Sequence, residues 1–253
     1  MKDLLRGFAV AFSMYTIIPM PQVEWNKKSM RYAYCFYPLA GAVIGFLLWI
    51  WIWAGQELAL SPLLYAVVAA LLPVLVSGGI HMDGLIDSCD ALFSYGDQEK
   101  KLTILKDSHV GAFGVLGCVG YLLLLFGLQG QLYARPSLLP IVAVGFVFSR
   151  ALGALTVVSF PCAKNSGLAH TFSDAAAKRP VRVVLTIYLA LCLLLFLDCS
   201  VVAGSVIVLL IGLLFLWFYR MSKKQFGGIT GDLCGLLVQL TELMILMVCA
   251  LMG

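Results

Sequence analysis

Six of the chain's 13 acidic residues lie in one short stretch, between Asp83 and Asp107. Asp83, Asp87 and Asp90 are spaced by four and then three residues, which places their side chains on one face of a helix. Like charges crowded on one face weaken a fold unless a cation lies between them. Carboxylate oxygens suit a hard cation such as Mg²⁺, and bound Mg²⁺ neutralises phosphate oxygens. The spacing therefore predicts a metal site that handles phosphate.

The alternative for the three aspartates is a solvated helix face with lysine partners nearby, yet residues 79–95 contain no lysine or arginine. Gly78 and Gly79 before this helix, and Gly84 within it, would let a phosphate or a metal ion approach the backbone closely. Asp97 and Glu99 lie in a polar turn further on, and we interpret them as solvated.

The next polar segment, Lys106-Asp107-Ser108-His109, offers a fourth carboxylate and a cation. Asp107 is expected to complete the metal site and Lys106 to hold a phosphate oxygen. The alternative is a charged anchor at the membrane interface. His81 stands beside the aspartates and is expected to help position a substrate.

Three further features join this set. Lys164 opens the motif Lys164-Asn165-Ser166-Gly167-Leu168, and Thr230 and Asp232 belong to Gly227-Gly228-Ile229-Thr230-Gly231-Asp232. Glu242 lies inside an apolar segment, where an acid is costly and marks a functional candidate. The alternative for Glu242 is an ion pair with Arg150, which also lies in an apolar segment, and the two interpretations are compatible.

The composition shows what must position these residues. The chain is 62% hydrophobic and 12% charged, with a mean hydropathy of +0.98, whereas soluble proteins carry about 25% charged residues. This predicts an all-α, polytopic membrane protein forming a single domain, 1–253, because helices satisfy their own backbone in lipid. Seven segments are apolar enough to span a bilayer: 35–55, 61–80, 110–128, 138–160, 183–198, 201–219 and 234–252. An interfacial or re-entrant helix is expected before the first, and none of the eight cysteines shows metal-site spacing.

The basic residues predict the orientation. With the N-terminus inside, every lysine and arginine except Arg135 and Arg150 falls on the cytoplasmic side, as the positive-inside rule requires. The net charge of +4 is thereby explained by topology, so no nucleic-acid partner is expected. The polar motifs fall in the inner loops 79–109, 161–182 and 220–232, which predicts one active site on the cytoplasmic face.

These motifs closely resemble the cobalamin synthase family, also called adenosylcobinamide-GDP ribazoletransferase. The family pattern G-G-x-H-x-D-G-L-x-D-x-x-D corresponds to Gly78–Asp90, and K/R-D-S-x-x-G-x-x-G corresponds to Lys106–Gly114. The other matching segments, in family order, are Thr16–Pro21, Phe36–Gly41, Ser149-Arg150 and Gly228–Asp232. The chain departs from the family at Thr103, where an acid is usual, at Lys164 and His109, where Arg is common, and at Gln239, where Glu is common.

The resemblance implies a Mg²⁺-dependent transferase in the prokaryotic cytoplasmic membrane. It would join adenosylcobinamide-GDP to α-ribazole or its 5′-phosphate and release GMP. Its catalytic and metal-binding residues would be Asp83, Asp87, Asp90 and Asp107. Substrate or phosphate would contact His81, Lys106, Ser108, Lys164, Arg150, Thr230, Asp232 and Glu242. The partners are these small molecules and the lipid bilayer, and a homo-oligomer is compatible with the sequence.

Two other classes of membrane protein share some of these features. A CDP-alcohol phosphotransferase breaks a similar diphosphate, but its motif D-G-x-x-A-R fails here, where Asp87-Ser88 follow Asp83-Gly84-Leu85-Ile86. A cation transporter would carry acids in the middle of several spans and matching broken helices in two halves. Here most acids lie in loops, and no internal repeat is visible.

Overall fold

The fold is built from helices throughout the part of the chain that the computed structural model describes, residues 2–253. The helices are α1 (Lys2–Tyr15), α2 (Lys27–Met30), α3 (Ala33–Glu57), α4 (Pro62–Val76), α5 (Ile80–Phe93), α6 (Gln98–Ile104), α7 (Ala112–Ala134), α8 (Leu139–Ser159), α9 (Leu168–Ala175), α10 (Lys178–Cys199), α11 (Val201–Phe226) and α12 (Gly231–Met252). A 3₁₀ turn at Pro136–Leu138 precedes α8. Residues 2–253 contain no β-strand, only an isolated bridge between Cys162 and Ile229. The predicted all-α class is confirmed.

Six of these helices, α3, α7, α8, α10, α11 and α12, are long and apolar enough to cross a membrane. The predicted second span, 61–80, divides at its end: α4 stops at Val76, and α5 turns away from it by 93°. We count α4 as the seventh spanning segment and α5 as a helix beyond its end. The protein is a multi-pass membrane protein, and α1, with 14 residues, is not among the long helices.

The bend between α4 and α5 is made by two consecutive glycines. Gly78 and Gly79 have φ angles of +64° and +79°, a region that side chains with a Cβ avoid. The Gly79 N–H donates to the carbonyl of Val74 at 2.9 Å, which closes α4. These glycines shape the chain itself, and α5 consequently leaves the direction of the span with its aspartates.

The long helices differ sharply in how much of their surface is covered. In α8 and α12, 78% of the apolar stretch is buried, against 22% in α7 and in α10. The outer helices therefore present large apolar side chains outward, among them Leu123 and Leu194. In a bilayer such side chains face lipid, so α8 and α12 form the centre of the bundle.

Small residues let the central helices touch. A Cβ on Gly41 would lie 2.1 Å from the carbonyl oxygen of Phe146, and one on Gly45 would lie 2.3 Å from that of Ala143. These glycines on α3 are one helical turn apart, and they bring its backbone against α8. Close backbone approach of this kind is a main source of helix association in membranes.

The predicted orientation can be tested by cysteine labelling. Cys199, at the end of α10, is exposed, and it lies in a predicted outer loop. We expect a membrane-impermeant maleimide on intact cells to label Cys199 when it is the sole cysteine. A sole cysteine introduced by Tyr95→Cys, at a position 94% exposed in a predicted inner loop, should react only after permeabilisation. Labelling of position 95 in intact cells would reverse the orientation.

Candidate functional site

The site is assembled where α5 crosses α12. A Cβ on Gly84 would lie 2.7 Å from the carbonyl oxygen of Asp232, and one on Gly235 would lie 3.3 Å from the Cα of Gly84. The two backbones are therefore in direct contact. The interpretation of Gly84 as an approach point for phosphate or metal is wrong, because the backbone of α12 fills that space.

This crossing groups carboxylates from two distant parts of the sequence. Burial, followed by the neighbouring carboxylates of Asp83, Asp232 and Asp90, raises the pKa of Asp87 to about 7. Burial disfavours the charged carboxylate, and the three neighbouring negative charges add to this effect because no counter-charge among the described residues offsets them. The cluster of Asp83, Asp87 and Asp232 is therefore the place in the site where a cation would be most favoured.

Asp90, the third aspartate of the predicted face, has a different set of partners. Its carboxylate is buried and accepts hydrogen bonds from the backbone N–H groups of Gly111 and Gly114, each at 2.8 Å. These N–H groups belong to the beginning of α7, where a helix lacks internal acceptors and favours negative charge. Asp90 thus anchors the start of α7 to α5, and its predicted role as a metal ligand stays a prediction.

Asp107 lies in an exposed turn beyond α6. Its carboxylate accepts from the backbone N–H of His109 at 3.0 Å and lies 2.7 Å from the Nδ1 atom of that residue. These bonds lower the pKa of Asp107. Ser108 is exposed in the same turn. Within residues 2–253, no three His, Cys, Asp or Glu side chains are already grouped to hold a metal ion, so the predicted four-carboxylate set is not preassembled.

Two cavities flank the carboxylate cluster. The first, which we call the basic cavity, has a volume of about 220 Å³ and is lined by Lys106, Lys164, Ser166, Thr230 and Asp232 among others. The second, the aromatic cavity, has a volume of about 150 Å³, and its lining includes Tyr15, Tyr34, Tyr37, His81, Asp83 and Asp232. Asp232 contributes to both linings, so the two cavities adjoin at the carboxylate cluster.

Two loops that line the basic cavity are joined to each other by a short backbone pairing. Ala163 N–H donates to Ile229 O at 2.9 Å, and Ile229 N–H donates to Pro161 O at 3.0 Å. This pairing sets Lys164 beside Thr230, although the two are far apart in sequence. Thr230 caps α12 by accepting from the N–H of Leu233 at 3.2 Å.

His81 is buried at the wall of the aromatic cavity. Its Nε2 atom lies 2.5 Å from the hydroxyl oxygen of Tyr37, and its Nδ1 atom is buried without a partner. Burial and the positive charge of Arg150 hold the pKa of His81 well below its ordinary value. The imidazole is therefore neutral at pH 7 and available for hydrogen bonding rather than for charge pairing.

Arg150 and Glu242 form a buried ion pair between α8 and α12. Their exposed fractions are 1% and 8%. The guanidinium donates to the Glu242 carboxylate, and Ser149 Oγ donates to the same carboxylate at 2.8 Å. The pairing weighed from the sequence is confirmed. Neither side chain lines the basic or the aromatic cavity, so their predicted contact with substrate stays a prediction.

Several structurally important residues in or near the site were not predicted from the sequence. Tyr34 and Tyr37 lie three residues apart in an apolar span, where aromatic residues look like ordinary packing. Lys101 follows the polar turn of Asp97 and Glu99, yet it is buried, and its ammonium donates to Ala91 O and Leu92 O at 2.9 and 3.0 Å. It thereby caps the end of α5. Gln239, one of the departures from the family pattern, is also buried, and its side-chain oxygen accepts from the Tyr121 hydroxyl at 2.5 Å.

Comparison with known proteins gives the family. The family model described as Cobalamin-5-phosphate synthase matches residues 7–250. Among curated relatives, an adenosylcobinamide-GDP ribazoletransferase of Lachnoclostridium phytofermentans is 43% identical over 240 residues, which cover 95% of this chain and 91% of the relative. Proteins of the same name from Desulfitobacterium hafniense (strain Y51) and Clostridium perfringens (strain 13 / Type A) are 36% and 32% identical, with 96% of both chains covered in each case. This chain belongs to the cobalamin-5-phosphate synthase family.

Membership of the cobalamin-5-phosphate synthase family confirms the resemblance drawn from the motifs. It makes the chain a transferase of cobalamin biosynthesis, built as a multi-pass membrane protein. No solved structure matches the chain.

The buried ion pair gives a prediction about stability in this cobalamin-5-phosphate synthase. Glu242→Gln leaves the Arg150 charge buried without its counter-charge, which costs about 3–5 kcal/mol. We expect a marked fall in the melting temperature of the purified protein in detergent. The double variant Arg150→Met/Glu242→Leu removes both charges and should melt closer to the wild type. Wild-type melting of Glu242→Gln would show that the pair does not stabilise the bundle.

Proposed function

We propose that the protein joins adenosylcobinamide-GDP to α-ribazole, or to α-ribazole 5′-phosphate, at the cytoplasmic face of the membrane. A ribose hydroxyl oxygen forms a bond to the phosphorus that carries the cobinamide. The bond from that phosphorus to the GMP oxygen breaks, and GMP leaves. The observation that carries this proposal is that a lysine-lined cavity and a carboxylate cluster meet at Asp232. A diphosphate needs both kinds of group.

The carboxylate cluster fits Mg²⁺ although it is not a complete cage. Mg²⁺ keeps several waters and is commonly held by one or two carboxylates together with substrate phosphates. Asp83 and Asp87, joined by Asp232 from α12, would hold it. The ion would neutralise the phosphate oxygens as the bond to GMP breaks. Asp90 and Asp107, the other predicted ligands, are already engaged with backbone N–H groups.

The lysines and the carboxylates would have different roles in the reaction. Lys106 and Lys164, in the basic cavity, would bind the non-bridging oxygens of the diphosphate and stabilise GMP as it leaves. A carboxylate of the cluster would accept the proton of the attacking hydroxyl. Gly167, with a φ of +92° and open space where a Cβ would point, keeps the loop after Lys164 clear for a bulky substrate.

The assay for this function is GMP release by purified protein given adenosylcobinamide-GDP, α-ribazole and Mg²⁺. Asp83→Asn keeps the shape of the side chain but removes its charge. We expect it to lower the rate of GMP release by at least about 1,000-fold, equal to about 4 kcal/mol of barrier. A rate within about tenfold of the wild type would remove Asp83 from the essential residues.

Asp97→Asn is the matched control for Asp83→Asn. Asp97 caps α6 by accepting from the Lys100 N–H at 2.9 Å, and asparagine caps a helix equally well. Its rate of GMP release should stay close to that of the wild type. A large loss would show that the functional cluster extends further along the acidic stretch.

The role of Lys164 can be tested by its effect on substrate affinity. We expect Lys164→Ala to raise the KM for adenosylcobinamide-GDP by about tenfold, because a charge-assisted bond to phosphate is lost. Lys164→Arg should keep the affinity or improve it, since arginine can grip two phosphate oxygens. Lys28→Ala, which removes an exposed cation from α2, should leave the KM unchanged. An unchanged KM in Lys164→Ala would show that Lys164 contributes to the membrane orientation of the protein and not to substrate binding.

A further inference from the structure

The diphosphate and the cation account for the basic cavity and the carboxylate cluster, but not for the aromatic cavity. Its chemistry is distinct. Three tyrosine rings form one side, with centroids 4.0 Å apart for Tyr15 and Tyr37 and 6.2 Å apart for Tyr34 and Tyr37. Ala154 and Val157 of α8, and Val238 of α12, add apolar side chains to the lining. Aromatic and apolar walls of this kind accept a flat ring.

We propose that the aromatic cavity binds the heteroaromatic base of the acceptor nucleoside and so presents its ribose to the carboxylate cluster. This inference rests on the proposed function and names the substrate for one of its cavities. The acceptor is a ribazole, in which a flat benzimidazole ring carries the ribose. The ring and the ribose of such a molecule require an apolar cavity adjoining polar groups, which is the arrangement of the aromatic cavity beside Asp83 and Asp232.

The size of the cavity suits a flat ring. Its volume is about 150 Å³, and an apolar protein cavity of about 150 Å³ takes up a benzene-sized ring, so this cavity can enclose one of the two fused rings of benzimidazole. A side chain that narrows the cavity should therefore exclude the base without touching the basic cavity. Val157 suits this test because it is 4% exposed and lies in the aromatic lining alone.

Charge and polarity disfavour the other parts of the two substrates as occupants of the aromatic cavity. Among the described residues, the lining of the aromatic cavity contains no lysine or arginine that could bind a phosphate, whereas Lys106 and Lys164 line the basic cavity. Guanine carries polar atoms on every edge, and the apolar side chains of Ala154, Val157 and Val238 offer them no partner. A benzimidazole exposes carbon along its outer edge and a single ring-nitrogen acceptor. Tyr15 and Tyr34 line the same cavity and carry hydroxyl groups that could donate to such a nitrogen; in the structure the two hydroxyls are 3.5 Å apart.

The test uses benzimidazole itself as the probe, in the full-length protein held in lipid nanodiscs. We expect benzimidazole to inhibit GMP release competitively against α-ribazole and not against adenosylcobinamide-GDP. Val157→Phe should raise the KM for α-ribazole at least tenfold and leave the KM for adenosylcobinamide-GDP within twofold.

A second pair of variants keeps the inference testable if Val157→Phe fails to fold. Tyr34→Phe keeps the ring and should raise the KM for α-ribazole less than Tyr34→Leu, which removes the ring and should raise it about tenfold. Competition of benzimidazole with adenosylcobinamide-GDP would overturn the inference and assign the cavity to the other substrate. An unchanged KM for α-ribazole in both Val157→Phe and Tyr34→Leu would overturn it as well.

Direct binding separates this inference from the proposed function. If the wild type releases no GMP, the proposed function fails, and calorimetric titration with benzimidazole still tests the cavity. Binding to the wild type with at least tenfold weaker binding to Val157→Phe would support an aromatic-ring site. Equal binding to both proteins, or binding to neither, would overturn it.

Discussion

The contact between α5 and α12 at Gly84 and Gly235 is the constraint on which the site depends. The acids of the cluster come from residues 83–87 and from residue 232, and only a backbone-to-backbone crossing brings these segments together. Any side chain at Gly84 would meet the Asp232 carbonyl. Because α12 is also one of the two most buried helices, the cluster is tied to the centre of the bundle rather than to a loose surface loop.

The helix that carries the aspartates is fixed along its length. At its start, the Gly78-Gly79 bend turns it out of the span. At its middle, it rests on α12. Towards its end, Asp90 holds the first N–H groups of α7, and Lys101 holds the last carbonyls of α5 itself. Mutual repulsion of the carboxylates would push a free helix away, and these anchors oppose that movement.

Arg150 links the membrane interior to the site through charge rather than through contact. It pairs with Glu242 inside the bundle, and its field helps to keep His81 neutral. His81 in turn hydrogen-bonds to Tyr37, whose ring packs against that of Tyr15 at the wall of the aromatic cavity. The core of the bundle and the walls of the cavity are thus one connected structure, which explains why polar residues remain inside apolar helices.

The sequence predicted the parts of this account that follow from local chemistry. Hydropathy predicted the helical class and the spans, and the four-and-three spacing predicted that the aspartates share a helix. It did not predict that Asp90 turns to α7, because that depends on N–H groups more than 20 residues further along the chain. The tyrosines were missed for a related reason: in a span of apolar residues, only the tertiary fold distinguishes a cavity wall from ordinary packing.

The most direct test of the account compares two glycine substitutions in helices. Gly84→Ala adds a methyl group that collides with α12, whereas Gly120→Ala adds one that meets nothing within 4 Å. Both proteins are purified in lipid nanodiscs, and GMP release from adenosylcobinamide-GDP and α-ribazole is measured with Mg²⁺ present. A displacement of about 1 Å at a reacting centre costs about 100-fold in rate. The account predicts that loss, or a larger one, for Gly84→Ala and a wild-type rate for Gly120→Ala; equal rates for the two variants would contradict it.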